Sequence, residues 1–195
     1  MKATLVTLVI FFSLSCKEKE VKKLNDAMVT HQDIELPVLR VNTDTFIKID
    51  NLYFNHSVGG KSIKEETLVA MKYDTDFLEI RFECRNNPRL DQNHYKTDNS
   101  WLIKQEVIEL FISNGIETPE NYLEIQLNPN NALFLAKITN RFKSDKKFEL
   151  NLVDTSTSGI VHRVKKDLEN ETWIGYLKIP LSLLQHPKTT SDNAY

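Results

Sequence analysis

Asp74-Thr75-Asp76 separates two β-rich runs, residues 67–73 and 77–85, and that spacing constrains the fold more than any other feature of the chain. Three residues cannot carry a crossover, so the runs must return antiparallel to each other as a hairpin. Aspartate suits the connection because its carboxylate accepts hydrogen bonds from the backbone just downstream. The device recurs at residues 122–127 and 132–139, which flank Asn128-Pro129-Asn130-Asn131; proline presets its own φ, and asparagine tolerates left-handed backbone. Residues 160–165 and 172–179 flank a charged turn at 166–171, and shorter β-type runs stand at 45–49 and 148–153, with a Gly59-Gly60 loop at 55–61. No helical period intervenes. Pro180 stops the last run, leaving room at 181–185 for one helical or 3-10 turn. Strands joined by turns, without crossover helices, specify an all-β fold, an antiparallel sandwich of jelly-roll type. The sequence shows no internal repeat and no second domain.

The N-terminus has a different logic. Lys2 supplies a positive charge, residues 5–12 an apolar core, and Leu14-Ser15-Cys16 follow at once. The apolar stretch is far short of the ~20 residues that span a bilayer, so residues 1–16 are predicted to be a signal peptide. Their end resembles the lipobox of bacterial lipoproteins. That resemblance implies acylation of Cys16, a membrane as partner through the lipid anchor, and residence in the cell envelope, at the outer membrane. The charged tract from Lys17 to Lys23 opens a solvated tether over 17–37, ahead of one domain at 38–195. Its lysine and acidic residues resemble surface-export signals of some lipoproteins. With Cys16 assigned to the anchor, Cys84 has no intramolecular partner, and hydrophobic burial alone must hold the domain. Cys84 shares strand parity with Leu78, Ile80 and Phe82, so it is predicted to be a small buried hydrophobe. A formal net charge of -2 without a basic stripe gives no footprint for nucleic acid.

One carboxylate conflicts with its surroundings. Residues 101–113 read Trp-Leu-Ile-Lys-Gln-Glu-Val-Ile-Glu-Leu-Phe-Ile-Ser, a β-type run. Alternation places Ile108, Leu110 and Ile112 on one face and Val107, Glu109 and Phe111 on the other. Glu109 therefore needs either an ion-pair partner or a ligand, because desolvating a lone carboxylate is costly. The same arithmetic puts Glu79, Arg81 and Glu83 on one outer face, and Glu124 and Gln126 on another. Set side by side on neighbouring strands, these groups would form either a bidentate hydrogen-bonding surface or an ordinary solvated face. The connection at 86–100 carries Pro88 and is long for a strand link, which suits a binding loop. Trp101 stands at its end, whereas Trp173 shares parity with Leu177 and Ile179 and is predicted to be core.

Three segments in order carry a resemblance: Val107-Ile-Glu-Leu-Phe within 101–113, Tyr122-Leu-Glu-Ile-Gln-Leu-Asn-Pro, and Thr172-Trp-Ile-Gly-Tyr-Leu-Lys-Ile-Pro-Leu-Ser-Leu-Leu. With Lys72-Tyr73-Asp74 leading into Phe77-Leu78-Glu79-Ile80, they resemble the family 9 carbohydrate-binding modules over residues 45–185. The resemblance implies a sandwich that binds sugar without catalysis, with a glycoside hydrolase as partner. By motif, Trp101 is then the stacking platform and Glu109 the polar contact; Arg81, Glu124 and Gln126 follow from face arithmetic. The family pattern continues past the Ile-Pro and short-helix segment into a strand carrying a second aromatic. This chain ends at Tyr195, so by that resemblance either it is truncated within that last element or Tyr195 is the remnant of it. Three other readings remain open from the residues. Glu109 and Glu124 could be a glycosidase pair if their separation allowed it. Met71 could be an axial sulfur ligand in a haem-binding relative. The domain could instead be a lipid-anchored adhesion scaffold, marked by an exposed apolar patch. The histidines at 31, 56, 94, 162 and 186 lack ligand spacing, and no nucleophile-elbow or zinc motif occurs. No cofactor is expected, although the oxygens of Asp91, Asn93 and Asp98 would suit a structural calcium.

Overall fold

The computed structural model describes residues 44–49, 54–56, 60–114, 118–142 and 147–184, together with the backbone of residues 6–9. The Cys16 lipidation site, the 17–37 tether and the tail from 185 lie outside the described residues. Among the described residues, ten strands form two five-stranded antiparallel sheets. In the first, β1 (Val6–Val9) pairs with β5 (Ile108–Asn114), followed by β6 (Asn121–Leu127), β7 (Leu133–Thr139) and β8 (Glu149–Leu152). The second has the order β2 (Ile47–Lys48), β3 (Glu66–Tyr73), β4 (Phe77–Arg85), β10 (Thr172–Pro180) and β9 (Val161–Asp167). The antiparallel sandwich is thus observed. Its three hairpins sit at the expected turns, and Leu181–Leu184 forms the 3-10 turn after Pro180. β1 falls within residues predicted to be a signal peptide; it is a short segment that pairs along the β5 edge of the first sheet.

The core lies between the sheets. Ile108, Leu110, Ile112, Leu123, Ile125 and Leu127 from the first meet Val69, Leu78, Ile80, Phe82, Trp173 and Leu177 from the second. These are the positions that period-2 alternation selects in each strand. Trp173 is fully buried, as predicted, and Phe82 meets it edge to face at 5.0 Å. That contact depends on Gly175, whose missing Cβ leaves room for the Phe82 ring to lie against the β10 backbone. Cys84 is buried, accepts a hydrogen bond from Thr67 Oγ1 at 3.7 Å, and has its thiol pKa pushed well up by desolvation. Met71 is packed into the same core.

Two boundaries depart from the sequence expectation. Residues 101–113 are not one strand: Trp101 caps a 3-10 turn at Leu102–Lys104, and β5 starts only at Ile108. Leu102 causes the break, because it folds down to pack with Val107 and Ala132 in a small second apolar cluster. The run predicted at 45–49 contributes a two-residue strand.

Candidate functional site

Three of the sequence-predicted residues meet on the outer face of the first sheet. Register sets Glu109 opposite Gln126 across β5 and β6, and Gln126 opposite Phe134 across β6 and β7. One row along, Phe111 faces Glu124 and Glu124 faces Ala136. Side chains two apart on one strand share a face, so Glu124 and Gln126 flank the carboxylate that β5 presents to them. The Gln126 amide nitrogen donates to Glu109 Oε1 at 2.8 Å and to Glu124 Oε1 at 2.7 Å. A single amide therefore bridges two acids.

Burial dominates the electrostatics. Glu109 is only 4% exposed, and its pKa is pushed up to about 7, first by desolvation, then by the neighbouring Glu124 charge, against the stabilising Gln126 bond. Glu124 is raised as well, again chiefly by desolvation. Among the described residues no lysine, arginine or histidine forms an ion pair with either acid. Beside them Tyr122 and Phe111 meet edge to face at 5.8 Å, and burial followed by the Glu124 charge raises the Tyr122 phenol. The site is thus two acids and an amide next to a pair of aromatic rings.

The long loop forms one wall. Asp98 accepts from Leu133 N through one carboxylate oxygen and from Thr155 Oγ1 through the other, both at 2.8 Å. Asn99, held at a positive φ of 55°, accepts from Leu135 N at 3.0 Å and donates to Val153 O at 3.0 Å. Gln105 Oε1 accepts from the backbone of His94 and of Tyr95, and Asn128 donates to Tyr95 O. Pinned in this way, the loop lays Leu102 and Tyr95 against Val107, Ala132 and Phe134 at one end of the face. Trp101 leaves that loop with 72% of its surface exposed. Glu106, just before β5, is another acid whose pKa is raised by burial; Asn87 and Arg89 oppose the shift, and its Oε1 has no hydrogen-bond partner among the described residues.

Arg81 is elsewhere. The expectation that it would stand beside Glu109 is corrected by the topology: β4 belongs to the second sheet, so its outer face looks away from that of β5. Alternation marks a residue as outward but cannot say from which sheet. There Arg81 lies over the Phe46 ring at 3.9 Å, while Tyr176 donates to Glu79 at 2.8 Å and Lys72 pairs with Glu79 at 3.2 Å. Asp98, one of the calcium candidates, has both carboxylate oxygens committed to protein donors, and no group of three acidic, histidine or cysteine side chains suited to a metal forms among the described residues. The aromatic members Phe111, Tyr122 and Phe134 were not anticipated, although Phe111 shares Glu109's parity, and Tyr122 that of Glu124 and Gln126.

No family model matches the chain. A curated "Extracellular protein" from Arthroderma benhamiae is 27% identical over 139 residues, covering 67% of this chain and 60% of its own length. The chain thus spans about three-fifths of that relative. A crystal structure of a "putative carbohydrate-binding protein" from Bacteroides uniformis aligns with a TM-score of 0.47 at 13% identity, over 65% of this chain and 58% of the other.

Proposed function

We propose that this chain is an exported, non-catalytic carbohydrate-binding domain that holds an oligo- or polysaccharide on the outer face of its first sheet. The observation that carries the reading is the Gln126 bridge between Glu109 and Glu124 beside the Phe111 and Tyr122 rings. Sugar hydroxyls need acceptors and donors in fixed directions, and the apolar face of a pyranose stacks on an aromatic ring. Trp101 is the platform at the rim: the residue is 72% exposed, and a stacked sugar would shield it. A glycosidase pair must leave space between its acids for the anomeric carbon, whereas here Glu109 and Glu124 stand within hydrogen-bond reach of each other and share the Gln126 amide. The Arthroderma relative is an extracellular protein, which is consistent with export. Lipid attachment at Cys16, an outer-membrane location and a hydrolase partner complete the proposal. Processing at Cys16 would remove β1 and open the β5 edge.

Calorimetric titration of the purified chain against a glycan panel tests the reading. Glu124→Ala is expected to weaken the best ligand at least about tenfold. Trp101→Ala should weaken it severalfold while changing stability by less than about 0.5 kcal/mol, the usual range for an exposed side chain. Arg81→Ala, on the opposite face, should leave affinity unchanged. Failure of the whole panel to bind would sink the proposal.

A second reading, a scaffold that binds another protein, is favoured by exposed Phe148, Leu150 and Leu152 at and beside the edge strand β8. Loss of partner capture in Leu150→Ser/Leu152→Ser, with glycan affinity intact, would distinguish it.

A further inference from the structure

We propose that the Glu109–Gln126–Glu124 cluster receives the ammonium group of an amino sugar, so that the preferred ligand is an oligosaccharide with free, unacetylated amines. This rests on the carbohydrate reading and names the class of sugar. Both Gln126 N–H groups are committed to the two acids, at 2.8 and 2.7 Å. Its oxygen is then the only part of the amide still available, and that oxygen is buried without a hydrogen-bond partner among the described residues, in a side chain that is 3% exposed. Unsatisfied buried acceptors are rare in folded proteins, and each calls for a donor. Because the amide nitrogen donates to both acids, the amide oxygen attached to the same carbon lies buried beside them, and the Glu124 side chain, the more exposed of the three, would have to swing aside to admit a donor.

When the acids are ionised, the cluster offers acceptors only: an oxygen from Glu109, one from Glu124 and the free Gln126 oxygen. A sugar hydroxyl brings a single proton to donate, whereas an ammonium brings three and a compensating charge. The chain pairs its acids with cations on its other faces, as in Lys72–Glu79, Arg85–Glu83 and Arg89–Glu65. Here the two acids stand together, hydrogen-bonded to each other through a shared proton that a bound cation would displace, with no such counter-ion among the described residues. The Phe111 and Tyr122 rings lie beside the cluster, where they can meet the pyranose that bears the amine and attract the cation through their faces. Acetylation would replace three donors with one and cancel the charge; a uronic acid would be repelled.

The test is calorimetric titration of the full chain at neutral pH with three tetramers: β-1,4-linked glucosamine, its N-acetylated counterpart and cellotetraose. The glucosamine tetramer is expected to bind at least about tenfold more tightly than either of the others, the scale of one well-placed charge interaction in a partly desolvated site. Glu124→Gln and Glu109→Gln, which preserve shape and remove charge, should each bring that ratio close to one. Equal or tighter binding of the acetylated or neutral tetramer would overturn the inference while leaving the carbohydrate reading in place. So would a preference that persists in both glutamine variants. Absence of binding by all three tetramers would overturn it too, and the wider panel would then decide separately whether any sugar binds.

Discussion

Gly175→Ala is expected to cost about 3 kcal/mol or more, a large share of the stability of a domain this size. A Cβ at position 175 would overlap the Phe82 ring, and the ring cannot yield. It is 2% exposed and already braced against the fully buried Trp173 indole at 5.0 Å. Overpacking in a closed interior forces off-rotamer side chains or a backbone shift, and here the shift would have to pass into the pairing of β10 with β4. Denaturant unfolding would show a fall in midpoint at constant slope. A compensating Phe82→Leu change should recover part of the loss in the double variant, because it removes the ring with which the new methyl collides. If Gly175→Ala unfolds at the wild-type midpoint, the packing described for Phe82, Trp173 and Gly175 is wrong.

The second large effect is a pH dependence. Glu109 has a pKa near 7 in the folded state against an ordinary 4.5, so the native state holds a proton that the unfolded chain has already released through that interval. Stability from this group is therefore fully present below about pH 4.5 and lost as pH rises through about 7. The raised Glu124 acts in the same direction. Glu109→Gln keeps an acceptor for the Gln126 amide and removes the charge that burial penalises. The variant should be more stable than the parent at pH 8 by about 1–3 kcal/mol, the upper end being the full shift and the lower end allowing for residual solvent screening. At pH 4 the two should be nearly equal. Unfolding midpoints at the two pH values decide it, and a parallel decline of both proteins with pH would rule out Glu109 as the titrating group.

Much of this fold was legible because its signals are local. Asp74 does what its position suggests, accepting from the backbone of Asp76 and Phe77 at 2.8 and 2.7 Å; Asn131 takes the left-handed backbone that the second turn requires. Parity sorted Trp173 into the core and Glu109 out of it. What parity cannot carry is sheet membership. Arg81 and Glu109 are both outward residues of strands in one sandwich, yet β4 pairs non-locally with β10 while β5 pairs with its chain neighbour β6, which puts them on opposite sides of the molecule. The break at Trp101 was hidden for a similar reason. Residues 101–106 have strand-like composition, but Leu102 gains more by packing on Val107 and Ala132 than by extending β5. Gln105, which looks like an ordinary surface residue in the sequence, spends its amide on holding that loop to Gln92, His94 and Tyr95. The aromatic half of the candidate site emerged only when β6 was aligned to β5, since Phe111 and Tyr122 are eleven residues apart in sequence and become neighbours through register.

Amide-resolved NMR of the chain, titrated with a glycan that binds in the calorimetric panel, tests the location of the site most directly. The largest shifts are expected on Glu109, Phe111, Tyr122, Glu124 and Gln126, with further shifts around Trp101, while Arg81 and Tyr176 stay unchanged. Shifts confined to the β4 and β10 face, with the β5 and β6 signals unmoved, would contradict it.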